Sequence, residues 1–297
     1  MNPESHKIAA LAGDAENLQQ LEASGALGRW QASQHALANY HAPNLANAKT
    51  FWGGTMQVDI RERVSSAIYI FGIYESTLSA FFSHYLESGK TFIDVGAHYG
   101  YFSLLAAHRV GESGTVISIE PSESTSWRLY HNIKGLKCCS NHRVAAWKEE
   151  SMLTLNDYGP VFSAFNSIGK RRIHESAPPV KSKTFEVRAV ALDQYFSEIG
   201  VVPDMIKIDA ESAELEIIQG LHNTLSDVRP VVTLEVGDYE HLIAEGVTSS
   251  REILEAVAKY EYDLFVPTLE GLEPHPVIQE HYSYGNIIAV PREKALA

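Results

Sequence analysis

Asp94-Val95-Gly96-Ala97-His98-Tyr99-Gly100 joins the end of an apolar run to the start of a helix through closely spaced glycines. Thr91 to Val95 reads as a buried strand, and Phe102 to Arg109 as a helix with Phe102, Leu105 and Ala106 on one face. Glycine lets the backbone turn tightly and lets a ligand approach the peptide groups, while free N–H groups at a helix start attract carboxylates or phosphates. This cradle therefore marks a candidate ligand site at the carboxyl end of a strand. A tight βα turn that binds nothing has the same local pattern, so the surrounding chain must discriminate.

Outward from the cradle the pattern is regular. Apolar strands at 91–95, 115–120, 142–146, 204–209 and 230–236 alternate with helical stretches at 101–109, 123–134, 213–225 and 249–260. Such alternation predicts an α/β fold, a parallel sheet covered on both faces. Tyr262 to Leu269 and Asn286 to Pro291 follow as two strands, with Gly271, Pro274, Pro276 and Gly285 between them. Joined without a crossover helix, they are expected to be antiparallel. Upstream, Met56 to Ile60 and Ala67 to Phe71 read as strands, or as a strand and a turn, and Ser76 to Leu86 as a helix. Residues 1 to about 48 carry short helical patterns such as Ile8 with Leu11 and Leu18 with Leu21, interrupted by Gly13, Gly25 and Gly28. The expected division is a helical N-terminal extension over 1–50 and one domain over 51–297.

Composition narrows the function. The chain has 297 residues, 45% of them hydrophobic, and a formal net charge of −13. That balance argues against a nucleic-acid or anionic-membrane surface, since both draw most of their affinity from positive charge. Cys138 and Cys139 are the only cysteines. Neighbours in sequence rarely satisfy disulfide geometry, so a reducing compartment is the natural home, and no cysteine set for a metal exists. The N-terminus lacks a charged start followed by an apolar run, and no stretch approaches the roughly 20 apolar residues of a membrane span. The expected location is the cytoplasm.

The acids are placed where they cost most. Asp94 sits inside the apolar run Phe92-Ile93-Asp94-Val95, and a buried carboxylate is expensive unless paired, for example by a ligand's ammonium. Glu120 ends the second strand 26 residues after Asp94, where a doubly wound nucleotide-binding fold places a carboxylate that accepts from ribose hydroxyls. Lys207 and Asp209 are two apart on one strand and share a face. Glu211 follows at that strand's end, Glu214 is spaced with Ile218 and Leu221, and Glu235 ends the next strand. Helix-dipole pairing and a structural ion pair for Lys207 are the competing readings.

Three ordered runs carry a resemblance. Phe92 to Ser103, Ile119-Glu120-Pro121, and Ile206-Lys207-Ile208-Asp209-Ala210-Glu211-Ser212-Ala213-Glu214 resemble the FkbM family of S-adenosylmethionine-dependent methyltransferases. Ile70-Phe71-Gly72-Ile73-Tyr74-Glu75 and Arg229-Pro230 through Glu235 fit the same family, so the resemblance covers roughly residues 55 to 292. It implies a class I methyltransferase fold, a Rossmann-like doubly wound sheet ending in an antiparallel hairpin. It also implies S-adenosylmethionine as donor and transfer usually to a hydroxyl of a small molecule, natural product or saccharide, with amide or amine N-methylation known among relatives. Position by position, it assigns Asp94, Gly96, His98 and Gly100 to the amino-acid part of the donor, Glu120 to its ribose, and Ala146 and Trp147 to its adenine. Asp209 and Glu211 would face the methyl group's destination, and Asp209, Glu211 or Glu235 would be the base or would ligate Mg²⁺. Two positions depart from the family: His98 stands where Asn is usual and Ser212 where Gly is usual.

Residues 156–186 form the longest apparently irregular insertion, a candidate lid with Tyr158, Phe162 and Phe165 followed by Lys170-Arg171-Arg172, His174, Lys181 and Lys183. A basic segment in an acidic protein points to an anionic or carrier-bound small-molecule acceptor. His222, His241, His275 and His281 show no metal-ligand spacing. A homodimer is compatible with this reading. The competing class is a nicotinamide-dependent oxidoreductase, but Gly96-x-His98-x-Gly100 lacks the Gly-x-Gly-x-x-Gly spacing and the chain ends in a hairpin. A non-catalytic binding module would not keep the costly acids.

Overall fold

The computed structural model describes residue 29, residues 45–169 and residues 180–294. Eight strands form the main sheet. Five are parallel: β3 (Thr91–Val95), β4 (Thr115–Ile119), β5 (Cys139–His142), β9 (Met205–Ile208) and β10 (Val231–Val236). Their order from one edge is β5, β4, β3, β9, β10, so the chain winds away from β3 in both directions. The helices are α1 (Arg63–Phe71), α2 (Ser76–Tyr85), α3 (Tyr101–Val110), α4 (Glu123–Ile133), α5 (Leu192–Ile199), α6 (Glu214–Gln219), α7 (Glu240–Ala244) and α8 (Ser250–Ala258).

The inner parallel strands are mainly apolar because both faces are covered, whereas β5 at the sheet edge, Cys139 to His142, is polar and half-buried. Phe92 packs with Phe82 and Leu105 on one face, and its neighbour Ile93 packs with Ile206, Ile217 and Leu254 on the other. Each of these side chains stabilises the fold by about 1.5–3 kcal/mol relative to leaving it in water. The C-terminal strands β11 (Tyr262–Pro267) and β13 (Gly285–Pro291) are antiparallel, as expected. β13 inserts between β10 and β11, and a short β12 (Leu272–Pro274) pairs with β11 outside it.

Several boundaries differ from the sequence reading. Ala67 to Phe71 belongs to helix α1 rather than a strand. Glu62 caps that helix by accepting from the N–H groups of Val64 and Ser65, and Gly72 ends it in a left-handed conformation. The expected strand 142–146 is divided: β5 ends at His142 in the main sheet, and β6 (Ala145–Trp147) joins a separate three-stranded sheet. There β6 pairs parallel with β8 (Lys183–Ala191), which pairs antiparallel with β7 (Ser151–Asp157), so β7 and β8 bracket the insertion as its two arms. The expected helix 213–225 stops at Gln219 and is followed by a π-helical turn, Thr224–Val228.

Residues 1–28 and 30–44, with most of the expected N-terminal helices, lie outside the described residues; residue 29 is helical. The strand β1 (Leu45–Lys49) pairs in register with β2 (Thr55–Asp59), so this hairpin crosses the 50/51 boundary expected from the sequence. No helix among the described residues is long and apolar enough to cross a membrane.

Candidate active site

A pocket opens at the carboxyl ends of β3, β4, β9 and β10. This is the crevice where the winding direction reverses, the position at which open α/β sheets bind ligands. Val95, Gly96 and His98 line it from β3, Glu120 from β4, Asp209 from β9 and Glu235 from β10.

The cradle is held by backbone. Gly96 has φ 75°, and its N–H and that of Ala97 both donate to the carbonyl of Ile119. A Cβ at residue 96 would lie 1.7 Å from the carbonyl oxygen of Asp209, so the β3 and β9 loops touch here through glycine alone. Gly100, also at positive φ, does not line the pocket. Its missing Cβ makes room for Leu129 of α4, 2.6 Å from where that atom would be. His98, at φ 49°, stacks on Tyr99 with centroids 4.0 Å apart, and its Nε2 is 2.8 Å from Ser163 Oγ. Burial pushes the imidazole down to about 3, so it is neutral at physiological pH.

Glu120 accepts one hydrogen bond from the His98 N–H and one from the Ser122 N–H, each at 3.0 Å. Burial still holds its carboxyl up, at about 8, against those two donors. Each oxygen keeps a further lone pair for a ligand hydroxyl. Glu120→Ala should cost about 1.5–3 kcal/mol of S-adenosylhomocysteine affinity if these oxygens hold the ribose, readable by calorimetry. An unchanged dissociation constant in the folded variant would remove the ribose assignment. Ala146 lines the pocket, whereas Trp147 does not. The Trp147 carbonyl instead faces Gly220 at the end of α6, 2.2 Å from where a Cβ would sit.

Lys207 organises the acids. It lies beside Asp94 in the β3–β9 register, 3.8 Å from Asp94 Oδ1 and 2.9 Å from Asp209 Oδ2. Burial opposes its charge, but Asp209, Asp94 and Glu75 outweigh burial and hold the ammonium's pKa up. Burial raises Asp94, with Lys207 and Ser103 partly offsetting it. Ser103 Oγ donates to Asp94 Oδ2 at 2.6 Å, while Oδ1 is buried without a hydrogen-bond donor. Asp209, Glu211 and Glu235 bring one carboxylate oxygen each within 4.8 Å of one another. Glu214 turns towards the sheet, as its spacing implied, and accepts from the Ala210 N–H at 3.0 Å.

Glu211 and Ser212 are both left-handed, at φ 48° and 79°. Ala213 occupies the N-cap position of α6, and no side chain caps that helix. A non-glycine residue in the left-handed conformation costs about 1–2 kcal/mol, and the Ser212 hydroxyl is buried without a partner. Ser212→Gly should therefore raise unfolding stability by about 1 kcal/mol in a denaturant titration; a loss of stability would contradict this account of the turn.

Three groups at the pocket were not singled out from sequence. Ser163, on a 3-10 turn of the insertion (Ser163–Phe165), hydrogen-bonds His98 and Tyr99 and lines the pocket with Asn166 and Ile168. The insertion thus covers the cradle through residues 163–168, although Lys170-Arg171-Arg172 and His174 lie outside the described residues. Lys181 and Lys183 are exposed and do not line the pocket. Tyr74 and Tyr284 line the other end, where the Tyr284 hydroxyl donates to Glu75 Oε1 at 3.1 Å. Tyr74 and Glu75 lay in the quoted upstream run, but nothing in their spacing tied them to a strand end.

These residues fit S-adenosylmethionine. The Glu120 oxygens line the pocket and match a ribose diol, and the Gly96 turn lets a ligand approach the backbone, whereas Asp94, whose Oδ1 has no hydrogen-bond donor, does not itself line the pocket. Residues 94–264 match the methyltransferase FkbM domain. The curated "Methyltransferase 1" of Beauveria bassiana (strain ARSEF 2860) is 24% identical over 164 residues, 49% of this chain and 64% of that protein. Among solved structures, the methyltransferase FkbM of Methylobacillus flagellatus KT aligns at 13% identity over 75% of this chain and 52% of its own, with a TM-score of 0.42. The O-methyltransferase of Bacillus cereus in complex with SAH aligns at 16% identity over 74% and 83%, with a TM-score of 0.40. The domain match covers more than half of the sequence and includes the cradle, Glu120 and the acids at the ends of β9 and β10, and on that ground the chain belongs to the FkbM methyltransferase family.

Proposed function

We propose that the protein is an S-adenosylmethionine-dependent methyltransferase acting on a hydroxyl of a small molecule, natural product or saccharide. The observation that carries this reading is the β3–β9 crevice, with a glycine-only contact at Gly96 and the Glu120 carboxyl on the donor side and Asp209, Glu211 and Glu235 on the other. Bound S-adenosylmethionine supplies an electrophilic methyl carbon on its sulfonium. Asp94, Gly96 and Glu120 orient the donor, His98 and Ser163 close the insertion over it, and the pocket walls exclude water. Asp209, next to Lys207, takes the acceptor's proton as the new bond forms, with Glu211 and Glu235 as neighbouring candidates. Positioning supplies much of the rate, and a placed base adds about 10²–10⁴-fold.

The spacing of Asp209, Glu211 and Glu235 favours a second reading of those acids as a Mg²⁺ site, since hard oxygen ligands suit that ion. N-methylation of an amide or amine uses the same geometry. The protein is read as cytoplasmic, with Cys138 and Cys139 as free thiols, and as acting on a small molecule without a nucleic-acid or membrane partner. Calorimetry with S-adenosylhomocysteine and with NAD tests the donor class: the first should bind and the second should not. Binding of NAD alone would replace this reading with an oxidoreductase. An acceptor screen with labelled donor then identifies the substrate.

A further inference from the structure

One residue joins the donor turn to the insertion. The His98 N–H donates to Glu120 Oε2 at 3.0 Å, and its ring reaches the other way, with Nε2 2.8 Å from Ser163 Oγ. Ser163 Oγ also lies 3.2 Å from the Tyr99 hydroxyl, so one hydroxyl bridges two rings stacked 4.0 Å apart. His98 does this at φ 49°, where residues other than glycine seldom sit, and such strain persists where surrounding contacts over-determine it. The segment that carries Ser163 is tied to itself. Asn156 and Ser167 exchange both backbone hydrogen bonds, the Tyr158 N–H donates to Asn166 Oδ1 at 2.9 Å, and Asp157 accepts from the Gly159 N–H and from the hydroxyls of Ser122 and Ser124 at the start of α4. Ala164, Asn166 and Ile168 of this closed turn line the pocket together with Gly96. Glu120 is only 6% exposed, so a ligand that reaches it lies beneath the surface, and a wall of the pocket must move to release it.

We propose that residues 157–168 form a lid over the donor site and that Ser163 and His98 are the positioning pair that latches it. The proposal rests on the methyl-transfer reading and assigns control of donor entry and product release at the same pocket. With the Ser163–His98 bond made, the lid holds the nucleoside against the Gly96 turn and keeps water from the sulfonium. With it broken, the turn swings out from the Asn156–Ser167 pair and S-adenosylhomocysteine leaves. His98 suits this part because it carries both ends of the link. A ribose hydroxyl that settles on Glu120 fixes the His98 backbone, and the fixed backbone sets the ring for Ser163. Donor binding and lid closure therefore favour each other. Side-chain length decides the latch: asparagine tolerates the left-handed backbone as histidine does, but it is too short to bridge to Ser163.

The test uses the full chain and S-adenosylhomocysteine, with dissociation followed by displacement of radiolabelled ligand and lid motion by hydrogen exchange over residues 157–168. Failure of S-adenosylhomocysteine to bind the wild-type chain would refute the methyltransferase reading and is seen before any variant is made. With it bound, exchange over 157–168 should slow at least about threefold, as a turn that closes on its ligand requires. Ser163→Ala and His98→Asn should each speed dissociation by about three- to tenfold, the range for one lost hydrogen bond. The double variant should be no more than about twofold faster than the quicker single one, because both substitutions remove the same contact. Ser163→Ala leaves the cradle backbone untouched, so the test stands even where His98→Asn does not fold. Exchange over 157–168 that ignores the ligand, or rates that multiply in the double variant, would overturn the proposal. So would an unchanged dissociation rate in Ser163→Ala, and a loss of unfolding stability alongside it would assign the contact to the fold alone.

Discussion

Gly96→Val is expected to abolish S-adenosylhomocysteine binding and to destabilise the fold by more than about 4 kcal/mol. Two effects combine at this one position. A Cβ would sit 1.7 Å from the Asp209 carbonyl oxygen, and the clashing atom is backbone, so the β9 loop must move as a body. The backbone is also at φ 75°, where a β-branched side chain is strongly disfavoured. Relief by shifting β3 would disturb the Gly96 and Ala97 N–H groups that hold Ile119, and with them the cradle. Gly100→Val provides the comparison. It shares the backbone penalty, at φ 90°, but there the nearest atom is the tip of the Leu129 side chain at 2.6 Å, which can rotate, so the cost should be smaller and the effect on ligand indirect. Denaturant unfolding and calorimetry on both variants read the difference. A folded Gly96→Val with normal affinity would mean that the β3–β9 contact is not what shapes the pocket.

The cradle and the strand-end acids were legible in the sequence because they rest on local rules. Gly96 announces a close approach, Asp94 is conspicuous in an apolar run, and Glu120 and Glu235 end runs of strand period. Errors arose where local pattern and long-range pairing conflict. Ala67-Ile68-Tyr69-Ile70-Phe71 has strand composition, yet Glu62 and Gly72 cap it as a helix with Ile68 buried. Val144 to Ala146 reads as a continuation of β5, but those residues leave the main sheet to begin the smaller one. Ser163 and Tyr284 could not be placed from sequence. Each reaches the pocket across a large separation, Ser163 to His98 and Tyr284 to Glu75, and no periodicity encodes such contacts.

Asp209→Asn should lower turnover by about 10²–10⁴-fold on the acceptor found with labelled donor, while S-adenosylhomocysteine affinity stays within about threefold of normal. The substitution keeps shape and removes charge, so it leaves the contact at Gly96, which uses the Asp209 carbonyl, intact. It also removes the charge of the partner 2.9 Å from Lys207, leaving Asp94 at 3.8 Å as the nearest charged one, and unfolding stability must be measured alongside turnover to separate that loss from chemistry. EDTA added to the wild-type enzyme divides the two roles of the acids. A Mg²⁺ site should lose activity and recover it when the ion is restored, whereas a proton-accepting carboxylate should be indifferent. If Asp209→Asn and Glu211→Gln both turn over normally, the proton must leave by another group on the pocket wall. Glu235 is then favoured over His98, because burial keeps the imidazole at about 3, too weak a base to compete, and its Nε2 is already engaged by Ser163.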